Sequence, residues 1–592
     1  MITNTAAAPG TTPQVIVLDT GGQYCHLIAR KIRELGVYAE IRPSSTPAAQ
    51  LCGAKGLIIS GGPCSVYDEG SPTVDPAIFS MGAAVLGICY GQQLMALSLG
   101  GRVRKGEKGE YGLAFLEIAE DANPLFAGTP VRQQIWMSHR DAVEQVPQGF
   151  RIIAGTDTCE AGAMVDTLGR LYGVQFHPEV VHTPAGRRIL SNFVFDICGC
   201  RPDWEPKHQI PAIENRIREV AAGRSVFFFV SGGVDSTVAY TLCLRALGDA
   251  RVHGAYVDTG LMREGETEYV KDVFASLGSH GFAVEDASAG FLNALSGVRD
   301  PERKRHIIGE QFVRVQEEIL ERGHFLDSQW ILGQGTIYPD TIESGGSANA
   351  DLIKTHHNRV PGISELIASN RLVEPLHLLY KDEVREIGRE LGLPGDLLDR
   401  HPFPGPGLAI RCLCSESSAQ VERLGPGWLI PVRSVGVQGD CRTYMPVLSI
   451  GDLDHDQARR LINEYPGINR VVAAVASHAE IREMKVRPSD LSAQRLARLR
   501  RADAIVRELS AESGFDRQVW QFPVVLIPLG TSGRPDSVVL RPIHSVDGMT
   551  AQSVTMDAEL LQRMASELLR VEGLCGVFYD LTHKPPATIE WE

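Results

Sequence analysis

A chain of 592 residues is too long for one core, and about three to five domains are expected. Its apolar content of 43% is ordinary for a globular protein, and no run approaches the roughly 18 apolar residues of a membrane span. A formal charge of −14 argues against a general nucleic-acid binder. The first ten residues, Met1 to Gly10, have neither a basic start nor an apolar core, so they read as a short disordered tail and not as a signal peptide. Among twelve cysteines the only close pairs are Cys198/Cys200 and Cys412/Cys414, and neither has zinc-ribbon spacing. Free, mostly buried thiols in a reducing cytoplasm are expected.

The first domain is expected over 14–203. Val15–Leu18, Tyr38–Ile41, Gly56–Ile59 and Ala83–Ile88 read as buried strands, with a helix ending at Leu35-Gly36. Strand alternating with helix predicts a doubly wound α/β sheet. At the end of the fourth strand stands Gly87-Ile-Cys-Tyr-Gly91, and a helix is predicted from Gln92 to Leu99. This is a nucleophile elbow with cysteine in place of serine. The glycines flank Cys89 because the turn is sharp, and the helix N-terminus favours the thiolate. A base is found downstream: Leu171–Phe176 is a strand, and His177-Pro-Glu179 follows at its carboxyl end. Cys89 as nucleophile, His177 as base and Glu179 as its orienter form a candidate triad. The plainer alternative is a buried cysteine in a strand-to-helix turn.

The second domain is expected over 204–411, after a linker at Arg201-Pro-Asp-Trp204. Val226–Val230 has no polar alternation, which suits a parallel strand buried on both faces. Ser231-Gly232-Gly233 breaks it, and Val234–Leu247 has helical spacing. Backbone N–H groups at such a turn bind phosphate, aided by the helix dipole. The loop is not a Walker A motif, because its Gly-Lys-Ser/Thr ending is missing. An ordinary turn capped by Ser231 or Asp235 is the simpler reading. His253–Gly260 and Gln329–Thr336 are further strands ending in polar or glycine turns. Lys354-Thr-His-His-Asn358 carries a lysine suited to phosphate, and Lys354 and His356 are candidates for phosphate or acyl-transfer chemistry. The adjacent His356 and His357 point in different directions on any regular element, which argues against a metal site. His401-Pro-Phe-Pro-Gly-Pro-Gly407 is too rich in proline for a helix or a central strand.

The third region, 412–592, repeats itself. Leu429–Ile450 and Gln521–Ile543 each read as two strands around a turn. Each is followed by a helix, Asp454–Tyr465 and Asp557–Val571, and then a strand, Ile468–Ala474 and Leu574–Tyr579. Two tandem related α+β modules are the simplest reading. Between them, Leu491–Ser510 is predicted as a strongly amphipathic, arginine-rich helix. Only the first copy has Gly436-Val-Gln-Gly-Asp440, preceded by Val435, and only the second has Lys584-Pro-Pro-Ala-Thr-Ile-Glu590.

These motifs carry resemblances. Gly-Ile-Cys-Tyr-Gly-Gln-Gln, His-Pro-Glu and Ser60-Gly-Gly-Pro63 resemble class I glutamine amidotransferases. That resemblance implies Gly61 and Gly62 in the oxyanion-hole loop and Gln93 in glutamine binding. Trp136-Met-Ser-His139 also matches, but Arg140 stands where glycine is expected. Ser-Gly-Gly-Val-Asp-Ser resembles the pyrophosphate loop of N-type ATP pyrophosphatases, which implies contacts from Ser231, Gly232, Gly233, Val234, Asp235 and Ser236. The second glycine turn, at Asp258–Gly260, is near the adenosine in that family. With Asp300-Pro-Glu-Arg-Lys-Arg305, Lys-Thr-His-His-Asn and the two C-terminal motifs, the chain from about residue 14 onward resembles the glutamine-hydrolysing GMP synthetases. The resemblance implies the substrates XMP, ATP and glutamine. It assigns Arg305, Asp440, Gln521, Lys584 and Glu590 to XMP. Magnesium would accompany ATP, with Asp235 as a carboxylate for it. Single-module relatives pair across a homodimer, so two modules in one chain favour a monomer, with a homodimer as the alternative. Another amidotransferase-coupled ATP pyrophosphatase, such as an NAD or asparagine synthetase, is the competing enzyme reading. A regulatory scaffold would require broken sites, and none of Cys89, His177, Glu179, Gly232, Gly233 or Asp235 is substituted.

Overall fold

A computed structural model of the chain describes residues 12–106, 109–119, 123–343, 361–438, 441–545 and 550–592. Lys354, His356 and Asp440 lie outside the described residues. The chain divides into two units. One runs to Arg216 and takes in Leu378–Glu383; the other comprises Ile217–His377 and Val384–Glu592. No described helix is long and apolar enough to cross a membrane.

The first unit is built on nine strands: β1 (Val15–Asp19), β2 (Ala39–Pro43), β3 (Gly56–Ile59), β4 (Ala84–Ile88), β5 (Glu110–Ile118), β6 (Arg132–His139), β7 (Phe150–Gly155), β8 (Ala163–Asp166) and β9 (Leu171–Val174). Their order is β2-β1-β3-β4-β9-β8-β7-β5-β6. The first five in that order are parallel, as the apolar runs predicted, and the last four add an antiparallel extension. Helices α1 (Cys25–Arg33) and α2 (Tyr90–Ser98) follow β1 and β4.

The predicted linker at Arg201–Trp204 is instead part of this unit. Trp204 is buried, stacks on Tyr38 with ring centroids 4.4 Å apart, and donates its indole N–H to Glu383 Oε1 at 2.6 Å. The Arg33 guanidinium lies over Tyr38, Trp204 and Tyr380 and donates to Glu383 Oε2 at 2.9 Å. A desolvated cation with aromatic faces and a carboxylate around it holds Leu378–Glu383 to this unit.

In the second unit β10 (Ser225–Phe229), β11 (Val252–Asp258), β12 (Phe282–Asp286), β13 (Trp330–Gly333) and β14 (Leu372–Val373) form a parallel sheet in the order β12-β11-β10-β13-β14. Helices α3 (Val234–Leu247) and α4 (Pro301–Arg322) belong to it.

A second large sheet contains β15 (Glu422–Leu424), β16 (Gly427–Gln438), β17 (Cys441–Ile450), β18 (Arg470–Ser477), β19 (Val524–Ile527), β20 (Asp536–Leu540) and β21 (Leu574–Asp580). Its order, β15-β16-β17-β18-β21-β20-β19, reveals the duplication. In each copy an antiparallel hairpin, β16–β17 or β19–β20, is followed by a helix, α5 (His455–Glu464) or α7 (Ala558–Leu569). Each helix leads to a strand parallel to the second hairpin strand. The copies meet antiparallel at β18–β21, as a two-fold through that pair requires. Both helices are capped by an aspartate, Asp454 or Asp557, accepting from backbone N–H groups of the first turn.

Helix α6 (Ala493–Ser513) joins the modules, but it is not the amphipathic helix predicted. Arg495, Arg498 and Asp503 are buried along with its leucines. Arg495 and Arg498 pair with the buried Asp536 of β20, and Asp503 accepts from Arg507 at 2.8 Å. Arg495 and Arg498 face inward because their partner Asp536 is supplied by another element, which no helical period discloses.

Asp580, at the end of β21, is fully buried between two guanidiniums. Its Oδ2 accepts from Arg470 at 2.9 Å, Arg541 at 2.7 Å and the Trp591 indole at 2.9 Å, while Oδ1 accepts from Thr582 N. Burial favours the neutral acid, yet the guanidiniums of Arg541 and Arg470 hold this carboxyl below its usual range. Its stabilisation is therefore present above the ordinary carboxylate range and lost as pH falls through the lowered folded value. Asp580→Ala leaves two buried cations uncompensated, and a loss of about 3–5 kcal/mol is expected. Urea unfolding of the second unit in the full chain checks this; an unchanged midpoint would refute it.

Candidate active sites

Cys89 sits between β4 and α2 at φ 52°, ψ −106°, a left-handed backbone for a residue that is not glycine. Such strain persists where surrounding packing over-determines it. Here the packing is tight: a Cβ on Gly87 would lie 2.5 Å from Gly91 O, and one on Gly91 would lie 2.3 Å from Ile59 O. His177 N donates to Trp136 O at 3.0 Å, and Thr183 Oγ1 donates to His177 O at 2.7 Å, so the loop after β9 is fastened at both ends. His177 Nδ1 bonds Glu179 Oε1 at 2.7 Å, and both side chains are buried. Burial disfavours the imidazolium, but Glu179's charge and the hydrogen bond with Cys89 hold His177 well above its ordinary value. Tyr24 presents its ring edge-on to the imidazole, with centroids 5.3 Å apart.

Gly61 belongs beside this pair: a Cβ there would lie 3.1 Å from His177 Cε1 and 3.7 Å from Cys89 Cβ. Thr20 Oγ1 donates to Gly61 O at 2.8 Å, and a Cβ on Gly62 would meet Thr20 O at 2.7 Å. Gln93, expected in glutamine binding, lies in the first turn of α2. It is buried, and its amide nitrogen donates to Asp141 O at 2.6 Å and to Gln175 Oε1 at 3.3 Å. Gln175 in turn donates to Cys89 Sγ at 3.6 Å. Gln93 thus supports a residue that touches the sulfur, because its position in the first turn of α2 directs it inward. Cys89 Sγ is also 3.6 Å from Ser138 O. His139 bridges Asp141 O at 3.0 Å and Glu110 Oε2 at 3.2 Å, while Arg140 is exposed.

In the second unit β10 ends at the predicted loop. Gly232 has φ 72°, and Gly233 caps α3 in an extended conformation. Ser231 Oγ accepts from Gly233 N at 3.3 Å and lies 3.0 Å from Ser236 Oγ. The chain leaves β10 for β11 on one side, and β13 lies on the other, so the loop opens at the topological switch point where α/β sheets bind ligands. The turn after β13 closes on it: a Cβ on Gly335 would be 2.9 Å from the backbone carbon of Asp235. Asp235 stands in the first turn of α3, partly buried. Asp258, ending β11, accepts from Gly260 N at 2.8 Å and Thr267 Oγ1 at 2.6 Å. Among the described residues no group of three or more His, Cys, Asp or Glu could hold a metal alone. A single carboxylate beside a phosphate cradle instead fits magnesium that arrives on phosphate oxygens.

The two complementary C-terminal motifs meet. Val437 N donates to Pro586 O at 2.7 Å, Val435 N to Trp591 O at 2.9 Å, and Gly436 bridges Ala587. Lys584 is held by its backbone against Ala551. Glu590 accepts two bonds from Arg411, at 2.9 and 2.7 Å, and lies 3.4 Å from Gln521 Nε2. Gln521 also donates to Pro402 O at 2.8 Å. Arg305 is on α4, where Glu302 Oε1 accepts from it at 2.8 Å and from Tyr444 at 2.7 Å. Sequence reasoning missed Arg411, Arg470, Arg541 and Asp580, whose partners are remote in the chain and which form no local motif.

Residues 16–197 match the family described as Glutamine amidotransferase class-I, 207–300 the NAD synthase family, and 508–591 the GMP synthase C terminal domain. Fold and sites therefore define a glutamine amidotransferase joined to an ATP pyrophosphatase. The chain is 41% identical over 589 residues to the GMP synthase (glutamine-hydrolyzing) of Carboxydothermus hydrogenoformans, covering 98% of this chain and 99% of that one. Those of Caldicellulosiruptor saccharolyticus (40% over 588 residues, 98% and 99% covered) and Thermobifida fusca (39% over 606 residues, 99% of each) are similarly related. The chain belongs to the glutamine-hydrolysing GMP synthase family, which decides against the NAD- and asparagine-synthetase alternatives.

Glu179→Gln removes the charge that supports the His177 imidazolium. The pH at which His177 loses its proton should fall by about one unit or more. The pH–rate profile of glutaminase activity reads this on its alkaline limb; a profile that did not move would contradict it.

Proposed function

We propose that the chain makes GMP from XMP in two coupled steps, with glutamine as nitrogen donor and ATP as activator. In the first unit Cys89 Sγ attacks the glutamine side-chain carbonyl carbon. The developing oxyanion lies by the Gly61–Gly62 loop, and His177 delivers the proton with which ammonia leaves. Water then hydrolyses the glutamyl thioester, with His177 as base and Glu179 holding its tautomer. In the second unit the XMP C2 oxygen attacks the α-phosphorus of ATP, and pyrophosphate departs into the Ser231–Ser236 loop. Ammonia then attacks C2 of adenylated XMP, AMP leaves, and GMP forms. The adenylation is needed because a carbonyl oxygen is a poor leaving group. Magnesium bound with ATP, with Asp235 as its protein carboxylate, supplies neutralisation of the pyrophosphate charge.

XMP is assigned to Arg305, Asp440, Gln521, Lys584 and Glu590, with Lys354 and His356 as further phosphate or acyl-transfer candidates. The observation that carries the reading is the meeting of Gly436–Val437 from one module with Pro586–Ala587 from the other. Two motifs remote in sequence thereby share one place. Free thiols at the described cysteines fit a reducing cytoplasm.

Cys89→Ala should abolish GMP formation with glutamine and leave ammonia-dependent formation largely intact, because the thiolate only makes ammonia. Assay of AMP and GMP with each donor checks this, and equal loss with both would refute the two-site reading. We also infer a monomer, since the β18–β21 pairing joins two modules inside one chain. Light scattering at micromolar concentration should give a single-chain mass; a tight dimer would overturn it.

A further inference from the structure

Lys304 lies on α4, one residue before Arg305, and its side chain is wholly buried. Its ammonium donates to Ala409 O and Cys412 O, both at 3.2 Å, and forms an ion pair with Glu592 Oε2. With Cys414 Sγ at 3.9 Å, the ammonium thus reaches four acceptors on two other segments. One of these, 409–414, includes Arg411, which grips Glu590 through two hydrogen bonds. The other carries Glu590 and Glu592 themselves. Lys304 is the point at which α4, the Arg411 stretch and the 584–592 segment are tied together.

A buried ammonium is costly to desolvate, and a well-packed apolar side chain often serves stability as well. Buried ion pairs of this kind are best attested where they fix register. Here the register concerns Arg305, adjacent on α4, and Glu590, two residues before Glu592. We propose that Lys304 is a positioning residue for XMP: its pair with Glu592 locks the 584–592 segment against α4, so that Glu590 and Arg305 address the same nucleotide. Lys304 itself does not touch the substrate. The proposal rests on the assignment of Arg305 and Glu590 to XMP made above.

The test is ammonia-dependent GMP synthesis by the full chain, with XMP and ATP varied separately, for Lys304→Met, Glu592→Gln and Arg305→Ala, alongside thermal unfolding. For the first two variants the KM for XMP should rise about ten-fold or more. Their kcat, their KM for ATP and their glutaminase rate should change by less than about two-fold, as expected for sites that do not share a partner. A general loss of packing would lower all of these together. If Lys304→Met does not fold, Lys304→Met/Glu592→Met, which leaves no unpaired buried charge, takes its place, and the same rise in KM is expected. A normal KM for XMP in the folded variants, with a raised one in Arg305→Ala, overturns the positioning role alone. A normal KM in Arg305→Ala overturns the underlying XMP assignment.

Discussion

The carboxylate of Asp580 is the constraint on which the C-terminal half depends. It is buried between Arg470 of one module and Arg541 of the other, and neither charge is tolerable there without the rest. Most of the guanidinium donors left over find backbone acceptors, Arg470 Nε excepted. Arg470 donates to the carbonyls of Val435, Thr588 and Glu590, and Arg541 to those of Thr582, Thr588 and Ile589. The 582–591 segment is thus laid against β16 because it supplies the acceptors that two buried cations require. A network of this sort is all-or-none, which suits a segment that has to occupy one path.

The two units solve their chemical problems in different ways. In the first, the geometry of the candidate triad is local: strand, strained turn and helix present Cys89, and a second strand end presents His177 with Glu179 only two residues further on. Glycines at 87 and 91 allow the turn because any Cβ would strike backbone. In the second, the Ser231–Ser236 loop is equally local, but the region proposed for XMP is assembled from α4, the 401–412 stretch, one hairpin and the last strand's continuation. Rigidity there comes from ion pairs between segments and not from one turn.

Duplication explains how such an assembly arises within one chain. The antiparallel β18–β21 junction gives each module the same neighbour it would have across a two-fold axis. Once both copies are in one chain, each is free to lose what the other retains. The hairpin of the first copy keeps its glycine-rich end, the second copy keeps the Lys-Pro-Pro segment, and the two are hydrogen bonded.

The apolar strands, the elbow at Cys89, the Ser231–Ser236 loop and the paired modules were all legible in the sequence, because each depends on residues close together in the chain. His177 with Glu179 was legible for the same reason. Three features were not. Trp204 reads as linker, yet Tyr38, Arg33 and Glu383 bury it. The helix after Ser492 reads as amphipathic, yet Asp536 draws Arg495 and Arg498 inward. Gln175, which links the amide of Gln93 to the Cys89 sulfur, carries no local signal. In each case the partner is tens to hundreds of residues away, and a buried charge or amide is recognisable only when its partner is in view. The sequence alone determined where the sharp turns and the buried strands fall, since backbone period and glycine sterics are local. Only the tertiary structure decided how Arg411, Arg470, Arg541, Asp580 and Lys304 hold the 582–592 segment in place, because the desolvation of a charge is settled by everything packed around it.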